Sequence, residues 1–249
     1  MNANGPAEVA ALGDAFNRMA DSLEEAEELR RRLVADVAHE LRNPIAAIRA
    51  QVEGMAEGVL PADAARLDSV VDDVMHLSLL VDDLQGLSLA EAGKLHYDFG
   101  ELDLASLVRK EVARAAEHAA PGVVVSADVA EKALAVLGDE LRLSEVLRNL
   151  LSNAVRHTSQ GSVTASLSSD EGFAVVRVTD TGEGIPAADL PYVFERFYRA
   201  DTSRSAHTGG AGLGLAISRR IVEDHGGTVF AESDGEGRGA TVGFRIPRA

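Results

Sequence analysis

With 249 residues, 46% of them hydrophobic and 26% charged, the chain has apolar content enough for a packed core and too much for a disordered one. A formal net charge of −16 opposes nonspecific binding to nucleic acid or to an anionic membrane surface, and the absence of cysteine removes disulfide scaffolds and thiolate metal sites. No run approaches the roughly eighteen apolar residues of a membrane span and no signal peptide opens the chain, so it is expected to be soluble as it stands, with two domains.

Between Leu29 and Val59 the apolar residues Leu29, Leu33, Val37, Leu41, Ile45, Ile48, Val52 and Met55 recur in helical steps, which predicts one amphipathic helix. Gly58, Val59, Leu60 and Pro61 break it, and a second stripe follows through Leu67, Val70, Val74, Leu77, Val81, Leu84 and Leu87. Two helices cannot enclose a core, so this hairpin is expected to pair with another copy in a four-helix bundle, making the protein a homodimer. The segment Gly93 to Gly100 loses the period and reads as a linker. A third helix is expected from Asp103, as N-cap, to Pro121-Gly122.

Beyond Gly122 the texture changes to β-branched runs at Val123 to Ser126, Ser162 to Leu167, Ala174 to Thr179, Thr228 to Ala231 and Ala240 to Ile246, which predict strands. Helical patterns lie between them at Glu140 to Arg156 and Leu215 to His225. The second half therefore reads as an α/β layer structure. The stretch Pro186 to Ala211 has neither period and reads as a long functional loop.

Four segments carry candidate chemistry. In Asp36-Val37-Ala38-His39-Glu40-Leu41-Arg42-Asn43-Pro44, His39 lies about 200° around the helix from Val37 and Leu41, away from the apolar stripe. An unprotonated imidazole nitrogen can accept a phosphoryl group when a carboxylate supports the other nitrogen. Alone, this pattern is more often an ordinary surface, unless another segment supplies phosphate. In Asn149-Leu150-Leu151-Ser152-Asn153 two amides share one helix face and can serve Mg²⁺ beside phosphate oxygens. Asp180-Thr181-Gly182-Glu183-Gly184 follows a predicted strand, where a carboxylate can accept from the exocyclic amine of adenine; a plain turn is the other reading. Gly209-Gly210-Ala211-Gly212-Leu213-Gly214 opens a helix and offers amides to phosphate. It matches neither the dinucleotide fingerprint nor a Walker loop.

Taken in order, these segments resemble the sensor histidine kinases of bacterial two-component systems. His39 to Pro44 is similar to the family's H box, Asn149 to Asn153 to the N box, Asp180 to Gly184 to the first glycine box, Phe194 to Phe197 to the F box and Gly210 to Gly214 to the second glycine box. The resemblance implies an α+β fold: a helical hairpin forming a dimeric four-helix bundle over residues 26–95, then a Bergerat-type ATP-binding α/β sandwich over 101–249. Residues 1–25, through Glu8, Leu12, Phe16, Asn17, Met19 and Leu23, look like the end of a HAMP linker helix, so the chain is expected to be the cytoplasmic part of a longer membrane receptor.

Position by position, the resemblance implies that His39 accepts the γ-phosphoryl group of ATP, with Glu40 as its acidic helper and Asn43 orienting water to dephosphorylate a partner. Asn153 would ligate Mg²⁺ with Asn149 in support, and Arg156 and Arg199 would meet phosphate. His157 would sit against adenine where many relatives carry Tyr, and Asp180 would bind the adenine amine. Gly182, Gly184, Gly210, Gly212 and Gly214 would line the nucleotide. Hydrolytic ATPases of the wider fold carry a glutamate at the Asn149 position; an amide is a poor base, which favours transfer over hydrolysis. The expected partner is the receiver domain of a response regulator. A hydrolysing ATPase of the same superfold has no use for the Asp36 to Pro44 segment, and a nucleotide-binding scaffold without turnover has no use for intact His39, Glu40 and Asn153.

Overall fold

The computed structural model describes residues 5–91, 95–130, 134–198 and 212–249; within its first helices several side chains, those of His39 and Glu40 among them, lie outside the described set. The chain divides into two units, Met1–Leu77 and Ser78–Ala249.

In the first unit the expected stripe lies in α1, Gly5–Ala56, which runs unbroken from the linker-like N-terminal segment through Pro44. Proline has no N–H, so the Glu40 carbonyl loses its amide partner one turn back, yet the helix continues. The break falls where Gly58 and Pro61 place it. Gly58 adopts φ 71°, and the Leu60 amide donates to the Gly54 carbonyl at 2.8 Å. α2, Ala64–Glu91, whose residues from Ser78 on belong to the second unit, then starts under Asp63, whose carboxylate accepts from the Arg66 amide at 3.0 Å as an N-cap. Gln51 donates to Asp73 at 3.0 Å and ties the two helices near the turn. Ile45, Val52, Leu67, Val71, Val74 and Met75 remain exposed in the single chain. No helix among the described residues is long and apolar enough to cross a membrane.

The second unit adds β1 (Gly100–Asp103), α3 (Leu104–Glu117), β2 (Val123–Val129), β3 (Ala135–Gly138), α4 (Glu140–Arg156), β4 (Gly161–Asp170), β5 (Phe173–Asp180), a 3-10 turn at Leu190–Tyr192, α5 (Gly214–Asp224), β6 (Thr228–Glu232) and β7 (Ala240–Pro247). Five strands form one sheet in the order β2-β4-β5-β7-β6, and β1 pairs with β3 in a separate two-stranded sheet. β1 and β3 escape the strand pattern because each has four residues, and Asp103 closes β1 as the cap of α3. The expected 186–211 loop holds only the short 3-10 turn among its described residues.

Strand order explains where a site can form. β2 and β4 are parallel, so the chain must cross over between them, and α4 is part of that crossover. β4 starts just after α4 ends; antiparallel β5 and β7 then bring Asp180 opposite Val163 and Ala240 opposite Asp180. The C-terminus of α4, the end of β5 and the start of β7 thus meet at one end of the sheet. Leu143, Val146, Leu147, Leu150 and Leu151 of α4 pack with Val176, Val178, Val242 and Phe244 of the sheet, all buried. On the opposite face Arg177 lies 4.9 Å over the Phe230 ring.

At the other end of α4, Asp139 is the N-cap and accepts from the Arg142 amide at 3.0 Å and the Asp98 amide at 2.8 Å. Its own amide donates to Nε2 of His225 at 3.0 Å, while Nδ1 of His225 lies 2.7 Å from the Ile221 carbonyl. That pair of partners requires the neutral tautomer with the proton on Nδ1. Tyr97 and Phe99 pack against the imidazole at 5.4 and 4.9 Å between ring centres, and the Tyr97 hydroxyl donates to Asp224 at 2.6 Å. Part of the segment read as a plain linker is therefore fastened to α4 and α5.

Candidate functional site

Asp180 ends β5 with only 7% of its surface exposed. Its Oδ1 accepts from the Gly182 amide at 2.9 Å and the Ala240 amide at 3.3 Å. Burial pushes its carboxyl above the ordinary aspartate range, and the two amides and the nearby His157 offset this only in part. Among the described residues hydrogen bonds reach Oδ1 alone, so Oδ2 keeps its capacity to accept.

The chain after Asp180 folds back over the end of α4. The Glu183 amide donates to the His157 carbonyl at 3.1 Å, and the Gly239 amide to the Gly182 carbonyl at 3.2 Å. Gly184 takes φ 72°, and a Cβ there would lie 2.1 Å from the Gly235 carbonyl oxygen, which leaves glycine as the residue that fits. His157 closes α4 as its C-cap, with Nδ1 3.2 Å from the Glu183 carboxylate; both side chains are exposed.

Asn149 and Asn153 lie one turn apart on α4, both half-buried. The Asn149 amide donates to the Gly214 carbonyl at 3.2 Å and faces the Ser218 hydroxyl at 3.4 Å, which ties α4 to the first turn of α5. Donation through Nδ2 leaves Oδ1 as the acceptor of that amide. Two amide oxygens one turn apart are hard donors of the kind Mg²⁺ takes beside water and phosphate, so the residues present fit that ion. Among the described residues no group of three His, Asp or Glu side chains offers an alternative metal cage.

α5 begins at Gly214 with Leu213 in the N-cap position and no side-chain cap, so among the described residues no side chain takes up the first-turn amides. Gly212, at φ 70°, accepts from the Phe197 amide at 3.0 Å, and a Cβ there would lie 2.9 Å from the Tyr198 carbonyl oxygen. Phe197 itself holds φ 58°, an uncommon conformation for a bulky residue, and Glu195 pairs with Arg219 of α5 at 3.4 Å. The Phe194 to Tyr198 segment is thereby bound to the glycine loop.

The structure thus brings together Asn149, Asn153, Arg156, His157, Asp180, Gly182, Gly184, Gly212 and Gly214 around one end of the sheet, with Arg156 exposed. Arg199 and Gly210 lie outside the described residues. His39, Glu40 and Asn43 belong to α1 in the first unit; Asn43 is exposed there, and the side chains of His39 and Glu40 lie outside the described residues. Sequence reasoning missed Ser218 and Ser233. Ser218, fully buried, donates to the Gly214 carbonyl at 2.8 Å, a reach its spacing of four residues into a helix start could have signalled. Ser233 carries no such local signal.

Comparison with known proteins supplies the family. Residues 138–249 match the family described as histidine kinase-, DNA gyrase B- and HSP90-like ATPase, and residues 29–93 match the His Kinase A (phospho-acceptor) domain. The chain is 36% identical over 245 residues to the signal transduction histidine-protein kinase BaeS of Escherichia coli, covering 96% of this chain and 51% of that protein. It is 35% identical over 244 residues to the histidine-protein kinase/phosphatase MprB of Mycobacterium bovis, covering 94% of this chain and 47% of that protein. Among solved structures, Acinetobacter baumannii histidine kinase AdeS superposes with a TM-score of 0.68 at 27% identity, over 84% of this chain and 97% of that one. The chain spans about half the length of the curated relatives it matches. With a phosphoacceptor module followed by a histidine-kinase ATPase module, in the order its motifs anticipate, the chain belongs to the sensor histidine kinases of two-component signalling.

Proposed function

We propose that this chain transfers the γ-phosphoryl group of ATP to His39 and passes it on to an aspartate in the receiver domain of a response regulator. The observation that carries this reading is the cradle at one end of the sheet: a buried Asp180 with an unspent acceptor oxygen, glycine backbone beside it and the uncapped start of α5 facing the place of the phosphates. Asp180 accepts from the adenine amine. The amides of α5 and the arginines Arg156 and Arg199 take the phosphates, and His157 lies against the base. Mg²⁺, when bound at Asn153 with Asn149 in support, draws charge from the phosphate oxygens.

An unprotonated nitrogen of His39 attacks the γ-phosphorus. A P–N bond forms, the bond to the bridging oxygen breaks, and ADP leaves with the electron pair. Glu40 supports the imidazolium. An aspartate oxygen of the receiver then attacks the same phosphorus, the P–N bond breaks and the imidazole is restored. Asn43, exposed on α1, holds the water that removes phosphate from the receiver; the kinase/phosphatase designation of MprB is in keeping with that second activity. A second copy covers the exposed face of Ile45, Val52, Leu67, Val71 and Met75. We assign residues 1–25 to the end of a HAMP-like helix, 26–95 to dimerisation and phosphotransfer, and 101–249 to ATP binding. A reaction that consumes ATP belongs to the cytoplasm.

Incubation with γ-labelled ATP and Mg²⁺ tests the reading: the protein acquires an acid-labile, alkali-stable label, and His39→Gln abolishes it while nucleotide affinity stays near wild type. Label that persists in His39→Gln assigns the acceptor elsewhere.

A further inference from the structure

The turn between β6 and β7 has no part in the reaction described above, yet among the described residues its first one carries the most heavily engaged hydroxyl near the site. Ser233 Oγ lies 2.6 Å from the Gly239 carbonyl oxygen, and it receives the Ile185 amide at 3.0 Å and the Gly235 amide at 3.2 Å. A hydroxyl has one proton and two lone pairs. Donation to Gly239, the shorter contact, spends the proton, so the Gly235 carbonyl at 3.4 Å is a neighbour and not a second acceptor. Every capacity of the group is used, and no other side chain at this position supplies one donor and two acceptors on so short a stem, threonine excepted.

What these bonds join is informative. Ile185 directly follows the Asp180 to Gly184 loop, and Gly239 directly precedes Ala240, whose amide reaches Asp180 Oδ1. Gly239 also donates to the Gly182 carbonyl, and Gly182 donates to the same Oδ1. Ser233 therefore closes a ring: from Ile185 back along the loop to Gly182, across to Gly239, and through Ser233 to Ile185 again. Of the two amides that hold Oδ1, one belongs to Gly182 of that ring and the other to Ala240, joined directly to its Gly239. Together the two amides decide which carboxylate oxygen is spent and which faces outward.

We infer that Ser233 is a positioning residue for nucleobase selection, fixing the two amides that orient the Asp180 carboxylate and thereby setting the preference for adenine over guanine nucleotides. The inference rests on the reading that Asp180 meets the exocyclic amine. Adenine presents a donor there and guanine an oxygen, so a firmly oriented acceptor rejects guanine, and a carboxylate free to turn rejects it less. The phosphate end of the nucleotide, held by α5, is not part of the ring.

The test compares the full-length chain with Ser233→Ala, measuring KM and kcat for His39 labelling by ATP and by GTP. The alanine variant should raise KM for ATP about fivefold, the loss of one hydrogen bond, lower the ATP-over-GTP preference by a similar factor, and leave the loss in KM and not in kcat. Ser233→Thr, which keeps the donor and both acceptors, should restore the preference. Ser233→Cys, a weak donor of similar size, should give an intermediate value and carries the test should the alanine variant unfold. An unchanged ATP-to-GTP ratio in the alanine and cysteine variants overturns the inference, as does a loss confined to kcat. Asp180→Asn run alongside separates the two readings: if its ratio is also unchanged, the assignment of Asp180 to the base fails with it, and if its ratio moves while that of Ser233→Ala does not, only the role of Ser233 fails.

Discussion

The two ends of α4 each present an aspartate with 7% of its surface exposed, Asp139 at the start and Asp180 beside the end, and their acidities move in opposite directions. Burial raises both. At Asp139 the amides of Asp98, Arg142 and Leu141 together with the Arg142 charge overcome it, and the carboxyl falls below its ordinary value. At Asp180 the amides of Gly182 and Ala240 and the charge of His157 do not. The difference lies in how fully the carboxylate is used and in how much protein surrounds it: surface exposure is equal, but Asp180 sits deeper and is desolvated more. Asp139 is a cap whose oxygens and whose own amide are committed within the fold, while among the described residues Asp180 is held by one oxygen and keeps the capacity of the other to accept. Equal surface exposure thus accompanies opposite shifts, and the tally of partners is in keeping with a structural role for Asp139 and the base-binding role proposed for Asp180.

The largest effect should come from the structural end. His225→Ala leaves the buried Asp139 amide without its acceptor and removes the ring contacts with Tyr97 and Phe99, a loss of about 2 to 4 kcal/mol in stability, with ATP affinity unchanged. All three tyrosines, Tyr97, Tyr192 and Tyr198, lie in the second unit. Urea unfolding followed by tyrosine fluorescence therefore reports that unit alone. Loss of nucleotide affinity in step with stability would erase the distinction between the ends.

Next comes Asp180→Asn, which puts a donor where the base presents a donor and should weaken ATP binding by about 1.5 to 3 kcal/mol in calorimetry. Stability should not fall. Because the folded carboxyl is raised above 3.8, the folded state binds the proton more tightly than the unfolded one between that value and the raised one, so ionised Asp180 costs stability at neutral pH. Asp139→Ala should do the reverse, lowering stability by about 1 kcal/mol through the lost cap and leaving affinity intact. An Asp180→Asn variant that unfolds more readily than wild type would break the comparison.

The acid response of the structural end is a subtler measure. Burial holds His225 below 6.5, the Ile221 carbonyl and the charges of Asp139 and Asp224 opposing only in part. As pH falls beneath 6.5 the unfolded state takes up a proton that the folded state refuses, so stability declines toward the lowered value. Asp139, depressed from 3.8, adds its own loss only as pH falls below 3.8 through its lowered value. The urea midpoint of wild type should slope across the first window and that of His225→Gln should be flat there. Smallest of all should be His157→Ala: its pairing with Glu183 is solvent-exposed, and stability should change by less than about 1 kcal/mol.

Much of this arrangement could be read in the residues before any coordinates. The α4 boundaries follow from the helical pattern at Glu140 to Arg156, and β5 and β7 lie within a residue at each end of the β-branched runs Ala174 to Thr179 and Ala240 to Ile246. Asp180 and the glycines stand out because their motifs are local. His225 and Ser233 do not, since the first meets Asp139 across 86 residues and the second meets Ile185 across 48. β1 and β3 were hidden for the same reason: Gly100 pairs with Gly138, and neither short segment carries a pattern without its partner. Local chemistry is legible, whereas a role conferred by a distant backbone group is not.

The uninterrupted course of α1 bears on how a signal would reach His39. A helix of 52 residues is a rod about 78 Å long, and a slender rod under torsion yields first at its weakest section. Pro44 makes one such soft section: a rung of the ladder is missing at the Glu40 carbonyl, next to His39, the acceptor proposed above. A twist or tilt applied near Gly5 would travel along stiff helix with little loss and be released as bending at the acceptor itself. In mechanical terms the shaft is compliant close to its proposed working point, so a rotation at the far end would change how His39 is presented.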